Sequence, residues 1–172
     1  AQSIQNVEYV WRPESSVRAA QVIAGEAQLG RFLSPEDCAT TPACKEAISV
    51  ETVPLRLDSV HPVLNDIRVR KAISHAIDRK ALIEGTQFGL ARPASGLYPE
   101  DHWAHNPTLK PVAFDQKFSR DMLAQAGFEK GLTIRGYVTN TASAVQVAEA
   151  VKNMLGQVGI NWQVDALAPV AA

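Results

Sequence analysis

Apolar and polar residues alternate most regularly near the end of the chain, in two stretches that flank a helical pattern. Leu132–Val138 and Ile160–Leu167 follow a period of two, which predicts two strands. Ser143–Val158 carries apolar side chains at helical spacing, and Ser143 with Gln146 fits a capping box at its start. Because a strand, a helix and a strand in this order most simply form a right-handed crossover, we expect a parallel β-α-β unit.

A similar order of elements is predicted at the start of the chain. Val7–Trp11 has the composition of a strand, and Ser15 and Ser16 can cap a helix that continues to Gly25. Ala27–Leu33 has the pattern of another strand. We therefore expect a second parallel β-α-β unit in this region.

Two weaker patterns follow. Ser34 can cap a short helix that begins at Pro35 and breaks near Pro42, because proline suits the first helical position. Ile48–Leu57 alternates loosely and predicts a strand, which Pro54 restricts to an edge or a bulge. This part of the sequence therefore contributes a helix and a strand to the predicted fold.

Three aspartates mark the starts of three further helices. Asp66 precedes the most regular helical spacing of apolar residues in the chain. Asp78 can cap a short helix that Gly85 ends, and Asp115 begins one that Gly127 ends. These patterns predict helices that each pack one apolar face.

The stretch Gly89–Lys110 is rich in proline and shows no sustained period, which predicts a long loop. Loops of this length are uncommon in compact domains without a role. We expect Tyr98 and Trp103 to pin the loop to the protein surface, so that it is ordered.

Taken together, the elements predict an α/β fold with a mixed sheet, packed helices and parallel β-α-β units. The chain has 172 residues, which is enough for one domain with its own core. We therefore expect residues 1–172 to form a single α/β lobe.

Composition and charge exclude several classes of function. The 17 Lys and Arg residues are balanced by 18 Asp and Glu residues, so the basic excess of a nucleic-acid-binding protein is missing. No stretch approaches the ~20 consecutive apolar residues of a membrane span. The first ten residues lack the layout of a signal peptide, so any export signal is expected outside this sequence.

The two cysteines, Cys38 and Cys44, are close in sequence. They could close a small loop in an oxidising compartment, or remain as two free buried thiols. The sequence leaves both alternatives open.

Several stretches resemble one family of binding proteins. Residues 65–83 read NDIRVRKAISHAIDRKALI, and residues 99–107 read PEDHWAHNP. Further matches lie in Arg18–Glu26, in Leu123–Phe128 and at Val158–Ile160. These residues are similar to the signature of the extracytoplasmic solute-binding proteins of family 5, which includes dipeptide-, oligopeptide- and nickel-binding proteins of ABC transporters.

The resemblance implies a fold and a function. Members of the family are built from two lobes that close around a solute and then present it to an ABC permease at the membrane. This chain would be the C-terminal-lobe fragment of such a protein, with the second lobe absent, working in the periplasm or another extracytoplasmic space. The implied solute is a small peptide or a similar molecule. An alternative is a solute-sensing module of a regulatory protein.

Candidate binding residues follow from the predicted sheet. In open α/β sheets, ligands bind beyond the carboxyl ends of parallel strands, where Asn140, Thr141 and Ser143 are expected. Their polar groups could hold a peptide carboxylate or carbonyl, although Ser143 could simply cap its helix. Arg12 follows the first predicted strand and could pair with an anionic group, or be a solvated surface arginine. Some members of the family place an arginine near residues 139–143, and this chain has none there.

No pattern in the sequence predicts catalysis, a cofactor or a metal site. A nucleophile beside a base and a glycine-rich phosphate loop are both missing from the sequence. His102 and His105 are three residues apart, but no cysteine or acidic cluster completes a set of metal ligands. We therefore expect a binding protein that is not an enzyme.

Overall fold

The computed structural model describes residues 4–45 and 51–168. The chain divides into two compact units, residues 1–49 and residues 50–172. We call these the N-terminal unit and the C-terminal unit and describe each by itself. The predicted strand Ile48–Leu57 lies partly outside the described residues, and its described part, residues 51–57, forms no strand.

The N-terminal unit contains two helices, α1 (Ser15–Ile23) and α2 (Pro35–Thr40). Both were predicted, and Ser34 caps α2 by accepting a hydrogen bond from the backbone N–H of Asp37. The guanidinium of Arg18 donates hydrogen bonds to four backbone carbonyls on both sides of α1, those of Arg12, Pro13, Arg31 and Phe32. The chain before and after α1 is therefore held by one side chain.

The two strands predicted in the N-terminal unit are wrong. Val7–Trp11 and Ala27–Leu33 form no strand, and the first parallel β-α-β unit does not exist in the described part of the chain. The side chains of Tyr9, Trp11 and Phe32 are at least 80% exposed. Strand propensity reflects the fit of a side chain to a pleated, half-buried surface, and no strand among the described residues pairs with these segments to provide one.

Cys38 and Cys44 form a disulfide, which decides between the two alternatives left open by the sequence. Their Cα atoms are 5.5 Å apart. The bond connects α2 with the residues that follow it, and Thr41 reinforces this turn because its hydroxyl donates to the carbonyl of Asp37. The end of α2 is therefore fixed by a covalent link and a hydrogen bond.

The C-terminal unit contains four helices and two strands among the described residues. Three of the helices begin directly after the predicted aspartate caps, and each capping carboxylate accepts a backbone N–H. The elements are α3 (Ile67–Ala76), α4 (Arg79–Gln87), α5 (Gln116–Gln125), β1 (Leu132–Thr139), α6 (Ala142–Gly156) and β2 (Ile160–Leu167).

The predicted end of α4 at Gly85 is wrong. The helix continues to Gln87 and ends at Phe88, which adopts the left-handed conformation with φ 51°. Thr86 is 8% exposed and its hydroxyl donates to the carbonyl of Leu82, so the last turn is anchored beyond Gly85. Gly89, at φ 78°, supplies the left-handed glycine after the helix.

The sheet consists of β1 and β2, which run parallel in register from the pair Leu132–Ile160 to the pair Thr139–Leu167. The predicted β-α-β unit is therefore confirmed, with α6 as the connection that packs on both strands. The predicted mixed sheet is wrong for the described residues, because the two strands are joined by one crossover helix and no antiparallel strand is present.

The core of the C-terminal unit lies between α3, α5, α6 and the sheet. Its most deeply buried side chains come from all of these elements: Val69, Ile73, Leu123, Leu155 and Ile160. Ser119 is also fully buried, and its hydroxyl donates to the carbonyl of Ala72 at 2.8 Å. This hydrogen bond satisfies a polar group inside the α3–α5 contact.

The proline-rich loop has the irregular structure that was predicted, since residues 88–115 contain no helix or strand. The ring of Tyr98 stacks on His102 with centroids 4.7 Å apart, and His105 Nδ1 lies 3.0 Å from the carbonyl oxygen of Tyr98. The predicted role of Trp103 is wrong, because this side chain is 92% exposed. The loop is ordered by local polar and stacking contacts instead.

Candidate functional site

The carboxyl ends of β1 and β2 lie side by side, and the connection from β1 to α6 begins there. The backbone N–H of Asn140 donates to the carbonyl of Leu167 at 2.7 Å, and the N–H of Thr141 donates to the carbonyl of Thr139 at 2.8 Å. The connection is therefore only two residues long and is held at the end of the neighbouring strand. We use the name β1–α6 loop for residues 140–143, that is, this connection together with the first two residues of α6.

Thr141 is the N-cap of α6, and the predicted capping box at Ser143 is wrong. The Thr141 hydroxyl accepts a hydrogen bond from the N–H of Ala144, and its carbonyl accepts one from the N–H of Val145. The bond from Asn140 to Leu167 ends the strand pairing at Asn140, so the first capping position available is Thr141. Ser143 then falls inside the first helical turn.

Because Thr141 and not Ser143 caps α6, several polar groups at the start of the helix are left without a partner. The side chains of Asn140 and Ser143 are exposed and have no hydrogen-bond partner among the described residues. The N–H groups of Ala142 and Ser143 belong to the first turn, where no helical carbonyl is available to accept them. An amide, a hydroxyl and two backbone N–H groups thus lie without a partner from the described residues at the positive end of a 15-residue helix.

The structure brings together three of the four predicted binding residues. Asn140, Thr141 and Ser143 lie in the β1–α6 loop. Arg12 lies in the N-terminal unit, where it is exposed and donates to the carbonyl of Trp11 at 3.0 Å. A role for these residues in binding stays a prediction.

The sheet has a polar face, on the side opposite the one that packs against α6. Side chains on this face alternate with the buried ones and are all exposed: Thr133, Arg135, Tyr137, Asn161, Gln163 and Asp165. Tyr137 is 76% exposed and pairs with Asp165 in the strand register, two residues before the strand ends. The alternation of apolar and polar residues in the sequence predicts an exposed face on each strand. It does not predict the register that pairs Tyr137 with Asp165.

Gly136 and Trp162 support the sheet beneath the site. Trp162 is 8% exposed, and a Cβ atom at Gly136 would lie 2.6 Å from its indole Nε1. Real side chains do not approach so closely, so glycine is required for the indole to occupy this place. The position of the carboxyl end of β1 therefore depends on the packing of Trp162 against Gly136.

Two aspartates with lowered pKa values, Asp37 and Asp66, take part in hydrogen bonds at the starts of helices. Side-chain hydrogen bonds from Ser15 and then from Ser34 lower the pKa of Asp37. The side chain of Arg68 lowers the pKa of Asp66, which caps α3, first through its hydrogen bond and its backbone N–H. These interactions belong to the folding of each unit.

The two histidines of the proline-rich loop have structural contacts. His102 Nδ1 accepts the N–H of Ala104, and His105 Nδ1 lies against Tyr98 as described above. Within residues 4–45 and 51–168, no three His, Cys, Asp or Glu side chains form a group that could hold a metal ion. The described helices also include none that is long and apolar enough to cross a membrane.

A surface cavity of about 380 Å³ lies elsewhere in the C-terminal unit, between α3 and the start of α5. Its lining includes Arg70, Lys71, His75 and Phe118. Arg70 donates to the carbonyls of Leu64 and Asn65, and the His75 ring packs on Phe118. These contacts are those of helix packing, and the cavity is separate from the β1–α6 loop.

Comparison with known sequences identifies the family. Residues 1–171 match the family described as bacterial extracellular solute-binding proteins, family 5 Middle. The chain belongs to this family. The resemblance drawn from residues 65–83 and 99–107 is thereby confirmed.

Relatives in this family are longer than the chain. The glutathione-binding protein GsiB of Escherichia coli (strain K12) is 30% identical over 166 residues, which cover 91% of this chain and 32% of GsiB. The same protein from Shigella flexneri matches equally well. The chain thus spans about a third of the length of the curated relatives that it matches.

Solved structures confirm the fold. The periplasmic binding protein DppA of Helicobacter pylori, in complex with peptide STSA, superposes with a TM-score of 0.78 at 24% identity, covering 91% of this chain and 31% of DppA. The dipeptide-binding protein of Pseudoalteromonas sp. SM9913, in complex with Met-Leu, superposes with a TM-score of 0.75 at 22% identity. The match covers 91% of this chain and 33% of that protein. The predicted α/β class, as a segment of a periplasmic binding protein, is confirmed.

Proposed function

We propose that this chain is a ligand-binding lobe of an extracytoplasmic solute-binding protein that serves an ABC permease. Residues 1–172 would form one lobe, and a second lobe would close over the solute. The observation that carries the proposal is the β1–α6 loop, where free polar groups stand at the carboxyl ends of two parallel strands. Ligands of open α/β sheets bind at this edge.

The loop offers groups that suit a carbonyl or a carboxylate. The N–H groups of Ala142 and Ser143 and the hydroxyl of Ser143 can donate hydrogen bonds to an oxygen placed above the helix start. The Asn140 side chain can both donate and accept, which matches the amide of a peptide backbone. Binding through these groups needs no cation, which fits the absence of Lys and Arg from residues 136–143.

Small peptides are the solute class that the relatives favour. The similar proteins include one named for binding glutathione and two solved in complex with peptides. These names describe those proteins, and we extend the class of solute to this chain because the loop chemistry suits peptide groups. Nucleic acid is not part of the proposal, since the net charge is −1.

The disulfide supports a location outside the cytoplasm. Disulfides persist in oxidising compartments and are rare in the cytosol of most bacteria. The Cys38–Cys44 bond therefore agrees with the periplasmic or extracytoplasmic location of the proposed function. An ABC permease at the membrane would be the partner that receives the solute.

We also propose that the chain is not an enzyme. The family to which it belongs consists of solute-binding proteins. The groups around the β1–α6 loop are an amide, hydroxyls and backbone N–H groups, and none of them is a general base or an activated nucleophile. The arrangement is suited to hold a solute rather than to convert it.

A calorimetric titration of the chain with a panel of di- and oligopeptides tests the proposal. One lobe supplies only half of a cleft, so we expect weak saturable binding, with Kd on the order of 1 mM. The double variant Asn140→Ala, Ser143→Ala should lose this binding. The variant Asn161→Ala removes an amide at the opposite end of the sheet and should bind as the wild type does. Absence of binding by every peptide would contradict the peptide assignment.

A further inference from the structure

We propose that the cavity between α3 and the start of α5 binds a phosphate monoester that carries an apolar substituent. Its volume of about 380 Å³ lies in the range of small-molecule sites. A soluble phosphate ester and the headgroup of a lipid such as phosphatidic acid both have this chemistry. The proposal concerns a second site and does not depend on the proposed function.

The first observation is the positive charge around the cavity. Arg70 and Lys71 line it. Arg79 lies beside it, because its guanidinium donates to the hydroxyl oxygen of Ser74 at 3.1 Å and to the carbonyl of Val112, and both of these residues line the cavity. A negative charge placed in the cavity is therefore attracted by three cations at once.

The second observation is that no carboxylate neutralises these cations. None of the three side chains forms an ion pair with a described residue. No Asp or Glu is present among the described residues that line the cavity. Asp115, which follows closely on the lining residue Val112, caps α5 with its carboxylate by accepting the N–H of Phe118. The cavity is therefore without an anion of its own.

The third observation is a set of hydrogen-bond donors that the fold leaves unused. Arg70 bonds to backbone carbonyls through Nη1 only, so its Nε and Nη2 have no partner in the described part of the chain. The ammonium of Lys71 has none there either. The Ser74 hydroxyl accepts from Arg79 and donates to no described residue, so its proton is available.

The spacing along α3 explains why these donors share one cavity. Arg70 and Ser74 are four residues apart, as are Lys71 and His75, so each pair lies on one face of the helix in successive turns. The remaining lining residues are apolar: Ile67, Val112 and Phe118. One helix thus supplies the polar side of the cavity, and an apolar wall completes it.

A phosphate monoester fits this arrangement better than a carboxylate does. It carries nearly two negative charges at neutral pH and three terminal oxygens that accept hydrogen bonds. A carboxylate has one charge and two oxygens, whereas three side chains here offer donors. Arginine and lysine both bind phosphate through charge-assisted hydrogen bonds. The apolar wall suits an apolar substituent on the ester.

Phenyl phosphate and benzoate test the site, because each joins an anionic group to the same aromatic ring. Amide signals of the ¹⁵N-labelled chain would be followed by NMR during both titrations. We expect phenyl phosphate to shift the signals of Lys71, Ser74 and His75 with Kd on the order of 1 mM at low salt. Benzoate should bind about tenfold more weakly, and added salt should weaken the binding of both.

Variants separate the cavity from the general charge of the chain. The double variant Lys71→Ala, Ser74→Ala should bind phenyl phosphate at least about tenfold more weakly, because it removes one charged and one neutral donor. Lys130→Ala is the matched control, since it removes one positive charge from an exposed loop residue outside the cavity. This control should bind as the wild type does.

Sedimentation with vesicles identifies the source of the phosphate group. Phosphatidylcholine vesicles would be compared with and without phosphatidic acid. Sedimentation that requires phosphatidic acid and falls in the double variant would support the site as one for a lipid headgroup. Binding of phenyl phosphate without such sedimentation would support it as one for a soluble ester.

Three results would overturn the proposal. The first is equal affinity for phenyl phosphate and benzoate. The second is binding of phenyl phosphate that is unchanged in the double variant. The third is a set of shifts confined to Ala142 and Ser143, which would place the anion at the start of α6 instead of the cavity. The proposed function is tested separately, with dipeptides at the β1–α6 loop.

Discussion

The N–H of Asn140 donates to the carbonyl of Leu167 across the ends of the two parallel strands. This hydrogen bond joins residues 27 positions apart and places the β1–α6 loop beside the end of β2. It also determines that Thr141 is the helix cap. The positions of the exposed polar groups in the proposed site therefore depend on the pairing of β1 with β2. A substitution that disturbs the sheet should also disturb the site.

Replacing Gly136 should destabilise the C-terminal unit. In Gly136→Ala the new Cβ would lie 2.6 Å from the Trp162 indole, so the ring must move within a packed core. We expect a loss of about 1–3 kcal/mol in the free energy of unfolding, measured by urea denaturation followed through tryptophan fluorescence.

Gly156→Ala is the matched control for this substitution. Gly156 ends α6, and a Cβ atom there meets nothing within 4 Å. The variant should be as stable as the wild type or more stable by up to about 1 kcal/mol, because alanine restricts the unfolded chain. Equal effects of the two substitutions would show that Trp162 does not occupy the place described.

Ser119→Ala should weaken the contact between α3 and α5. The buried Ser119 hydroxyl donates to the carbonyl of Ala72, and the net contribution of such a hydrogen bond is about 1 kcal/mol. We expect a decrease of that size in thermal or urea stability. Ser143→Ala removes an exposed hydroxyl and should leave stability unchanged, so a comparable loss in both variants would contradict the structural account.

Reduction of the disulfide should destabilise only the N-terminal unit. Closing a loop of this size in the unfolded chain corresponds to about 2 kcal/mol on entropic grounds. In the double variant Cys38→Ser, Cys44→Ser, amide hydrogen exchange should become faster in α1 and α2. Exchange in α3, α5 and α6 should not change, and a uniform increase across both units would argue against their separate compactness.

Stability should fall in acid partly because of Asp66. Hydrogen bonds from Arg68 lower its pKa in the folded state below the ordinary value of 3.8. The stabilising contribution is therefore present above pH 3.8 and is lost as the pH falls through the lower folded-state pKa. Urea unfolding between pH 6 and pH 2 should show a weaker pH dependence for Asp66→Asn than for the wild type.

The sequence predicted the elements whose signals are local. The helix starts at Asp66, Asp78 and Asp115 were predicted correctly because the carboxylate of each aspartate binds N–H groups only two or three residues away. The unit β1–α6–β2 was predicted because each of its periodicities lies within one short stretch. The order strand, helix, strand was enough to predict that residues 140–143 lie at the end of a strand.

Features that depend on distant partners could not be predicted. Val7–Trp11 has strand composition, but no strand in the described part of the chain pairs with it, so it forms none. Thr141 replaced Ser143 as the cap because Asn140 bonds to Leu167, which is far away in sequence. Tyr137 and Asp165 became neighbours only through the register of the two strands.

The most direct test of the proposed function is to map where a peptide contacts the chain. Backbone amide signals of the ¹⁵N-labelled chain would be followed by NMR during titration with a dipeptide such as Met-Leu. The account predicts saturable shifts that centre on Asn140, Ala142 and Ser143 and that disappear in the variant Asn140→Ala, Ser143→Ala. Shifts centred on the cavity between α3 and α5, or no shifts at any peptide concentration, would contradict a binding site at the β1–α6 loop.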